Sequence, residues 1–219
     1  MRRLRLTPLR LAAALLALSF AGVGVAYAAG MSVTSGQVGA ARQSLTKGSC
    51  QLGATAVSDT WIDESNRNRT NGGDTTLQIQ DDRNKVDIAF LRFDLGSCNV
   101  PAAGGADAAT LRIVVTAATK TNHTVSLYPV TSSWSPSTLT WNAAQSLTIG
   151  STPTDSFTTT TGAHTLTVTA DLDAAIKAGT LWGWELVDTA GSKNATTEIA
   201  SSSYGTSSYR PSLSLSYEK

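Results

Sequence analysis

Apolar residues recur at every other position in short runs, and the runs are separated by turn residues. Leu77 and Ile79 alternate with polar neighbours, and Leu111, Ile113 and Val115 alternate with Arg112, Val114 and Thr116. Val125 with Leu127, Leu166 with Val168, and Trp182, Trp184 and Leu186 repeat the pattern. Leu213, Leu215 and Tyr217 alternate strictly with Ser212, Ser214 and Ser216. A period of two sends alternate side chains to opposite faces, so each run predicts a strand with one buried and one wet face. One run differs. Ala89, Leu91, Phe93 and Leu95 line one face while Ile88, Phe90 and Arg92 line the other, which predicts a central strand.

From about Leu52 onward, strands at this spacing predict an all-β sandwich. Asn71-Gly72-Gly73-Asp74 supplies residues that tolerate a turn, and the Gly- and Ala-rich stretch Pro101 to Ala106 separates two long strands. The β pattern breaks once. Thr169-Ala170-Asp171 can start a short helix with Leu172, Ala175 and Ile176 on one face, ending at Gly179. It is expected as a single crossover helix packed against one end of the sandwich.

The amino-terminal thirty residues follow another logic. Arg2, Arg3, Arg5 and Arg10 precede an apolar run from Leu11 to Ala29, and Ala26-Tyr27-Ala28 offers small residues to a signal peptidase. Residues 1–28 therefore predict a signal peptide and a secreted protein, extracellular or at the cell surface. The alternative is an uncleaved signal anchor, because the run approaches the roughly 20 residues that span a bilayer. Residues 29–49 read as a linker or one weak strand, and residues 50–219 as the β-sandwich domain. Cleavage after Ala28 removes four of 17 basic and none of 16 acidic residues, changing the formal charge from +1 to −3. Neither balance suits a nucleic-acid partner. Export also gives Cys50 and Cys98 a meaning, since an oxidising compartment permits a disulfide between them. Closing that loop stabilises the fold by about 4 kcal/mol on chain-entropy grounds, less any strain. Two unpaired buried thiols are the other reading.

No H-E-x-x-H or G-x-S-x-G motif is present, and His123 and His164 lack motif partners, so both are expected at the surface. The acids are more informative, because eight of the sixteen fall between Asp59 and Asp94. Asp59, Asp63 and Glu64 flank one loop and are the first candidates for a calcium site, since that cation wants several oxygen ligands. The alternative is solvated loop acids balanced by Arg67, Arg69, Arg83, Lys85 and Arg92. Among the aromatics, Trp61, Trp141, Trp182 and Trp184 sit in periodic runs and are expected in the core. Trp134, Tyr204 and Tyr209 stand in polar, turn-rich segments, where an exposed ring could stack on a sugar face. Arg67 and Arg69 occupy the loop from Asp63 to Asp74, and guanidinium forks suit the carboxylates of an acidic polysaccharide. For each of these the alternative is a ring half buried beneath its loop, or a solvated arginine.

Several segments, in order, resemble the DNRLRE-domain family of secreted β-sandwich modules. They are Ala56-Val57-Ser58-Asp59-Thr60-Trp61-Ile62, Leu91-Arg92-Phe93-Asp94-Leu95 with Ala109-Thr110-Leu111-Arg112, and Tyr209-Arg210-Pro211-Ser212-Leu213. The clearest is Ser133-Trp134-Ser135-Pro136-Ser137-Thr138-Leu139-Thr140-Trp141-Asn142, a tryptophan pair joined by a serine- and threonine-rich turn. The resemblance implies a jelly-roll-like antiparallel sandwich and non-catalytic binding of polysaccharide, uronate-rich polymers included. A structural or adhesive cell-surface protein is the alternative, and a polysaccharide lyase or hydrolase a more distant one.

Overall fold

The computed structural model describes residues 46–219 apart from 83–84, 102–103, 180–182 and 192–193. The expected signal peptide, most of the expected linker, Arg83 and Trp182 lie outside the described residues. Eleven strands are present: β1 (Lys47–Leu52), β2 (Val57–Asp63), β3 (Thr76–Asp82), β4 (Lys85–Phe93), β5 (Ala106–Ala118), β6 (Thr124–Pro129), β7 (Asp155–Thr158), β8 (Gly162–Thr167), β9 (Trp184–Asp188), β10 (Thr196–Ala200) and β11 (Ser212–Glu218). Among the described residues two α-helices interrupt them, α1 (Trp141–Ala144) and α2 (Thr169–Ala178). The chain is all-β, as its periodicity predicts. β1 begins inside the stretch read as linker, so for Lys47–Ser49 the weak-strand alternative holds.

All pairings are antiparallel, in the order β1-β11-β5-β10-β3-β4-β9-β6-β7, with β2 added to β4 and β8 to β5. The long strand β5 takes β8 along one edge and β11, then β10, along the other. β4 takes β2 along one edge and β3, then β9, along the other. β3 joins the two halves by pairing with both β10 and β4, so one sheet curls until its halves face each other. The expected inward rows meet in that interior. Leu77, Ile79, Leu91, Phe93, Leu111, Ile113, Val125, Leu127, Leu166, Trp184, Leu186, Leu213 and Leu215 form one buried cluster. Tyr217 closes it, donating its hydroxyl to the Cys98 carbonyl. Cys50 and Cys98 form a disulfide with Cα atoms 5.5 Å apart, tying β1 to the segment after β4.

β4 is central, flanked by partners on both edges, and its second apolar face has its own cover. Ile62 and Phe90 pack with Val130, Trp134 and Leu139 in a separate cluster, bordered by Ile88, Trp141, Leu147 and Ile149. The β6–β7 connection thus folds back over the outer face of β2 and β4. Trp141 does not lie in a strand. It opens the one-turn helix α1, whose first turn is capped by Thr140 Oγ1 accepting from the Ala143 N–H at 3.2 Å. Local alternation across Leu139–Trp141 resembles a strand here only because the turn is too short to display a 3.6-residue period.

α2 starts at Thr169 and ends where expected. Gly179 has φ +68° and donates its N–H to the last-turn carbonyls, a conformation that L side chains resist. Leu172 is fully buried and Ile176 packs against the main core, so the predicted face is the one that docks.

Candidate functional site

β2 and β4 set the base of the region in which most candidate residues lie. Inward positions on β2 are Val57, Asp59, Trp61 and Asp63, so two of the three acids offered as calcium ligands point into the sandwich. Asp59 is 3% exposed and accepts from the N–H of Ser202 at 2.5 Å and from its hydroxyl at 3.0 Å. Burial pushes its carboxyl above the usual range, although these two hydrogen bonds oppose the shift. Asp63 is equally buried and caps the next turn, accepting from Ser65 N–H at 2.7 Å and Asn66 Nδ2 at 2.5 Å. Burial alone would raise Asp63. The Asn66 and Ser65 hydrogen bonds and the Lys85 charge outweigh it and hold the carboxyl below its ordinary value. Glu64 turns outward to Arg67, at 3.4 Å. The expectation of a calcium site at Asp59, Asp63 and Glu64 is therefore corrected. These acids face different partners, and among the described residues no group of three or more His, Cys, Asp or Glu side chains could hold a metal ion.

Asp87 stands opposite Asp63 in the β2–β4 register and is fully buried, with Lys85 Nζ at 3.0 Å. Burial raises its carboxyl more than the Lys85 ammonium lowers it, and the neighbouring Asp63 adds to the rise. The two carboxyls are thus driven apart, Asp63 ionised more readily and Asp87 less so.

The loop from Asp63 to Thr76 carries Arg67 and Arg69. It is pinned at both ends of its turn: Asn71, 2% exposed, donates to the Trp61 carbonyl at 2.8 Å, and Trp61 Nε1 donates to Asp74 at 3.0 Å. Along its side the loop meets the α1 segment, where Asn142 N–H donates to the Arg67 carbonyl at 3.1 Å and Asn142 Nδ2 to Asn68 at 2.9 Å. Both arginine side chains remain 57% exposed. The Arg67 side chain reaches Glu64 at 3.4 Å and that of Arg69 reaches Asp74 at 3.9 Å, and more than half of each side chain faces solvent.

Tyr204 and Tyr209 lie in the connection from β10 to β11 and form a parallel pair, ring centroids 5.8 Å apart and planes 6° apart. Tyr209 is the exposed large apolar ring among the described residues, at 43%. The connection is held from beneath: Arg210 Nε donates to the Tyr204 carbonyl at 2.7 Å and Arg112 Nη1 to the Ser208 carbonyl at 2.8 Å. Its start is tied to the arginine loop, because Ser201 Oγ donates to the Asp74 carbonyl at 2.7 Å. Asp74 therefore links Arg69, through its side chain, to the buried start of the tyrosine connection, through its backbone. Arg112 and Arg210 were not among the expected site residues. Their role is to fix a loop 96 positions away from Arg112, which leaves no local signal.

Trp134 is corrected. Its ring is 6% exposed, meets Phe90 edge-on at 5.7 Å, and lies under the Arg92 guanidinium carbon at 5.3 Å. It anchors the cover over β4 and presents no face to a sugar. His123 is likewise buried rather than at the surface, with Nδ1 3.3 Å from the buried Asp188 carboxylate. His164 is half-buried, its ring tilted 40° against Phe157 at 4.7 Å, with Nε2 2.8 Å from the Thr160 carbonyl.

Among the described residues no helix is long and apolar enough to cross a membrane. A search of curated proteins returns no match. The profile of carbohydrate-binding module family 96 matches residues 51–217, which takes in β2 through β10, all of β11 but its last residue, and both tyrosines. The chain belongs to carbohydrate-binding module family 96.

Proposed function

We propose that this protein is an exported, non-catalytic polysaccharide-binding module, and that acidic, uronate-rich chains are its ligands. Residues 1–28 direct the export, and the disulfide accords with an oxidising destination. The observation that carries the reading is the parallel Tyr204–Tyr209 pair, with Tyr209 exposed and Tyr204 half-buried, joined through Asp74 to a half-exposed arginine, in a chain of a carbohydrate-binding family. A flat ring covers the apolar C–H face of a pyranose, while a guanidinium fork takes its carboxylate. The resemblance to DNRLRE-domain modules supports the same assignment. Trp134 is no part of the proposed surface.

Affinity electrophoresis in gels containing polygalacturonate, polymannuronate or a neutral glucan tests it. Retardation by a polyuronate is expected, weakened about tenfold in Tyr209→Ala and less in Arg69→Ala, with unchanged melting temperatures. Equal migration in every gel would refute the binding. Retardation by the neutral polymer alone would refute the uronate assignment. Capture of envelope proteins without competition by sugar would favour the adhesive alternative.

A further inference from the structure

Away from the tyrosine connection, the end of the β6–β7 connection and the β8–α2 junction enclose an open groove of about 790 Å³. That volume is ample for a small ligand. Its chemistry differs from that of the tyrosine and arginine surface. Among the described residues no Lys, Arg or His lines it. Its acceptors include the carboxylates of Asp155 and Asp171, both held in place by hydrogen bonds, in part from the groove-lining Thr167 and Thr154. Asp155 accepts from the Ser156 and Thr167 N–H groups, each at 2.7 Å. Asp171 accepts from Trp184 Nε1 at 2.7 Å and from the Thr154 hydroxyl. A carboxylate offers about four lone-pair sites, so each retains acceptor capacity toward the groove. Donors lie beside them in the exposed Ser151 and Thr152 hydroxyls, and the rings of Pro129 and Pro153 add apolar faces.

Fixed acceptors, rotatable donors and flat apolar patches match a ligand whose every hydroxyl both donates and accepts and whose ring faces are C–H. Two carboxylates with no cation repel an anionic chain. We propose that this groove is a second saccharide subsite, selective for uncharged sugars over uronates. It rests on the carbohydrate-binding reading above but not on the uronate assignment or on the tyrosine pair.

The test is an amide-resolved NMR titration of the ¹⁵N-labelled exported chain with cellohexaose, xylohexaose, mannohexaose and an oligogalacturonate. At least one neutral hexaose is expected to shift the amides of residues 150–152, 154–155 and 167–171 saturably, while the oligogalacturonate leaves them in place. Thr152→Arg, at an exposed loop position, is expected to weaken that binding about tenfold without altering polyuronate retardation. Tyr209→Ala is expected to leave it unchanged. The proposal falls if none of the three neutral hexaoses shifts those amides, if the oligogalacturonate shifts them instead, or if Thr152→Arg binds normally. Neutral sugar that shifts only the Tyr204 and Tyr209 region would remove the subsite and leave the module's carbohydrate binding intact. Silence from every sugar at both places would remove both.

Discussion

Glu185 lies in the middle of β9, paired with Phe90 of β4 on one side and Tyr128 of β6 on the other. Its neighbours Trp184 and Leu186 point into the core, so its own side chain takes the outer face, where it is half-buried. Burial pushes its carboxyl from 4.5 up to about 7. The folded state therefore holds a proton that the unfolded state releases between those two values. Stability from this group is fully present below 4.5, declines as pH rises through 7, and is flat above. Taken at face value the shift corresponds to about 3 kcal/mol, but water reaches part of the side chain, and a discount to about 1–2 kcal/mol is appropriate. Glu185→Gln removes the ionisation and keeps the shape. It should raise the urea midpoint at pH 8.5 by the equivalent of about 1–2 kcal/mol, with unchanged slope, and leave pH 5 almost unaffected. Burial also raises the carboxyls of Asp59 and Asp87, so the difference between the two proteins at each pH isolates this one. Carbon-detected NMR of the Glu185 carboxyl gives its midpoint directly. Equal effects at both pH values, or a midpoint near that of a free glutamate, would refute the reasoning.

Three further outcomes follow from the packing. Trp134→Ala should destabilise by about 3–4 kcal/mol in urea unfolding, because it empties the cluster over β4, while polyuronate retardation of the folded fraction stays unchanged; lost retardation with normal stability would return Trp134 to the binding surface. Replacing Cys50 and Cys98 together by serine should lower stability by about 4 kcal/mol on chain-entropy grounds, read from the same unfolding curves, and an unchanged midpoint would contradict it. Gly183→Ala should be among the most damaging single-methyl changes, more than about 2 kcal/mol, since φ is +85° and the added carbon would fall onto the Leu91 carbonyl oxygen and Arg92; a melting temperature within a degree or two of the parent would refute that close approach.

The strands were legible because alternation is a local property. Leu213, Leu215 and Tyr217 declare their inward face whatever the partner strand, and the doubly apolar run around Phe90 correctly predicts a strand flanked on both edges. The cover over Phe90 was not legible. Trp134 stands among serine, proline and threonine, and that local polarity describes its neighbours in the chain, whereas its burial is set by Phe90 and Arg92 on another element. Asp59 shows the same limit more sharply. An aspartate followed by further acids resembles a solvated loop, yet its partner Ser202 is 143 positions away. His123 is buried against Asp188 on β9 for the same reason. Polar residues reveal their role through partners, and partners at that separation leave no pattern along the chain.

The acids first read as metal ligands have a different use in the fold. Asp59 holds Ser202 at the start of the tyrosine connection, and Asp63 holds the turn that opens into Arg67 and Arg69. Asp74 takes Trp61 Nε1 through its side chain and Ser201 through its backbone. Each clamp joins a surface loop to the sandwich at a buried or half-buried point. Burying a carboxylate is costly unless several donors meet it. At Asp59 and Asp63 those donors are the backbone N–H groups and side chains of the loops themselves, so the loops are fixed by the same bonds that satisfy the charge. A loop ordered before its ligand arrives loses less freedom on binding, and affinity for a weakly gripping polymer depends heavily on that saving. The burial of Asp59 and Asp63 is therefore explained by the loops they fix, and the proposed binding surface would draw its rigidity from those clamps and from Asp74.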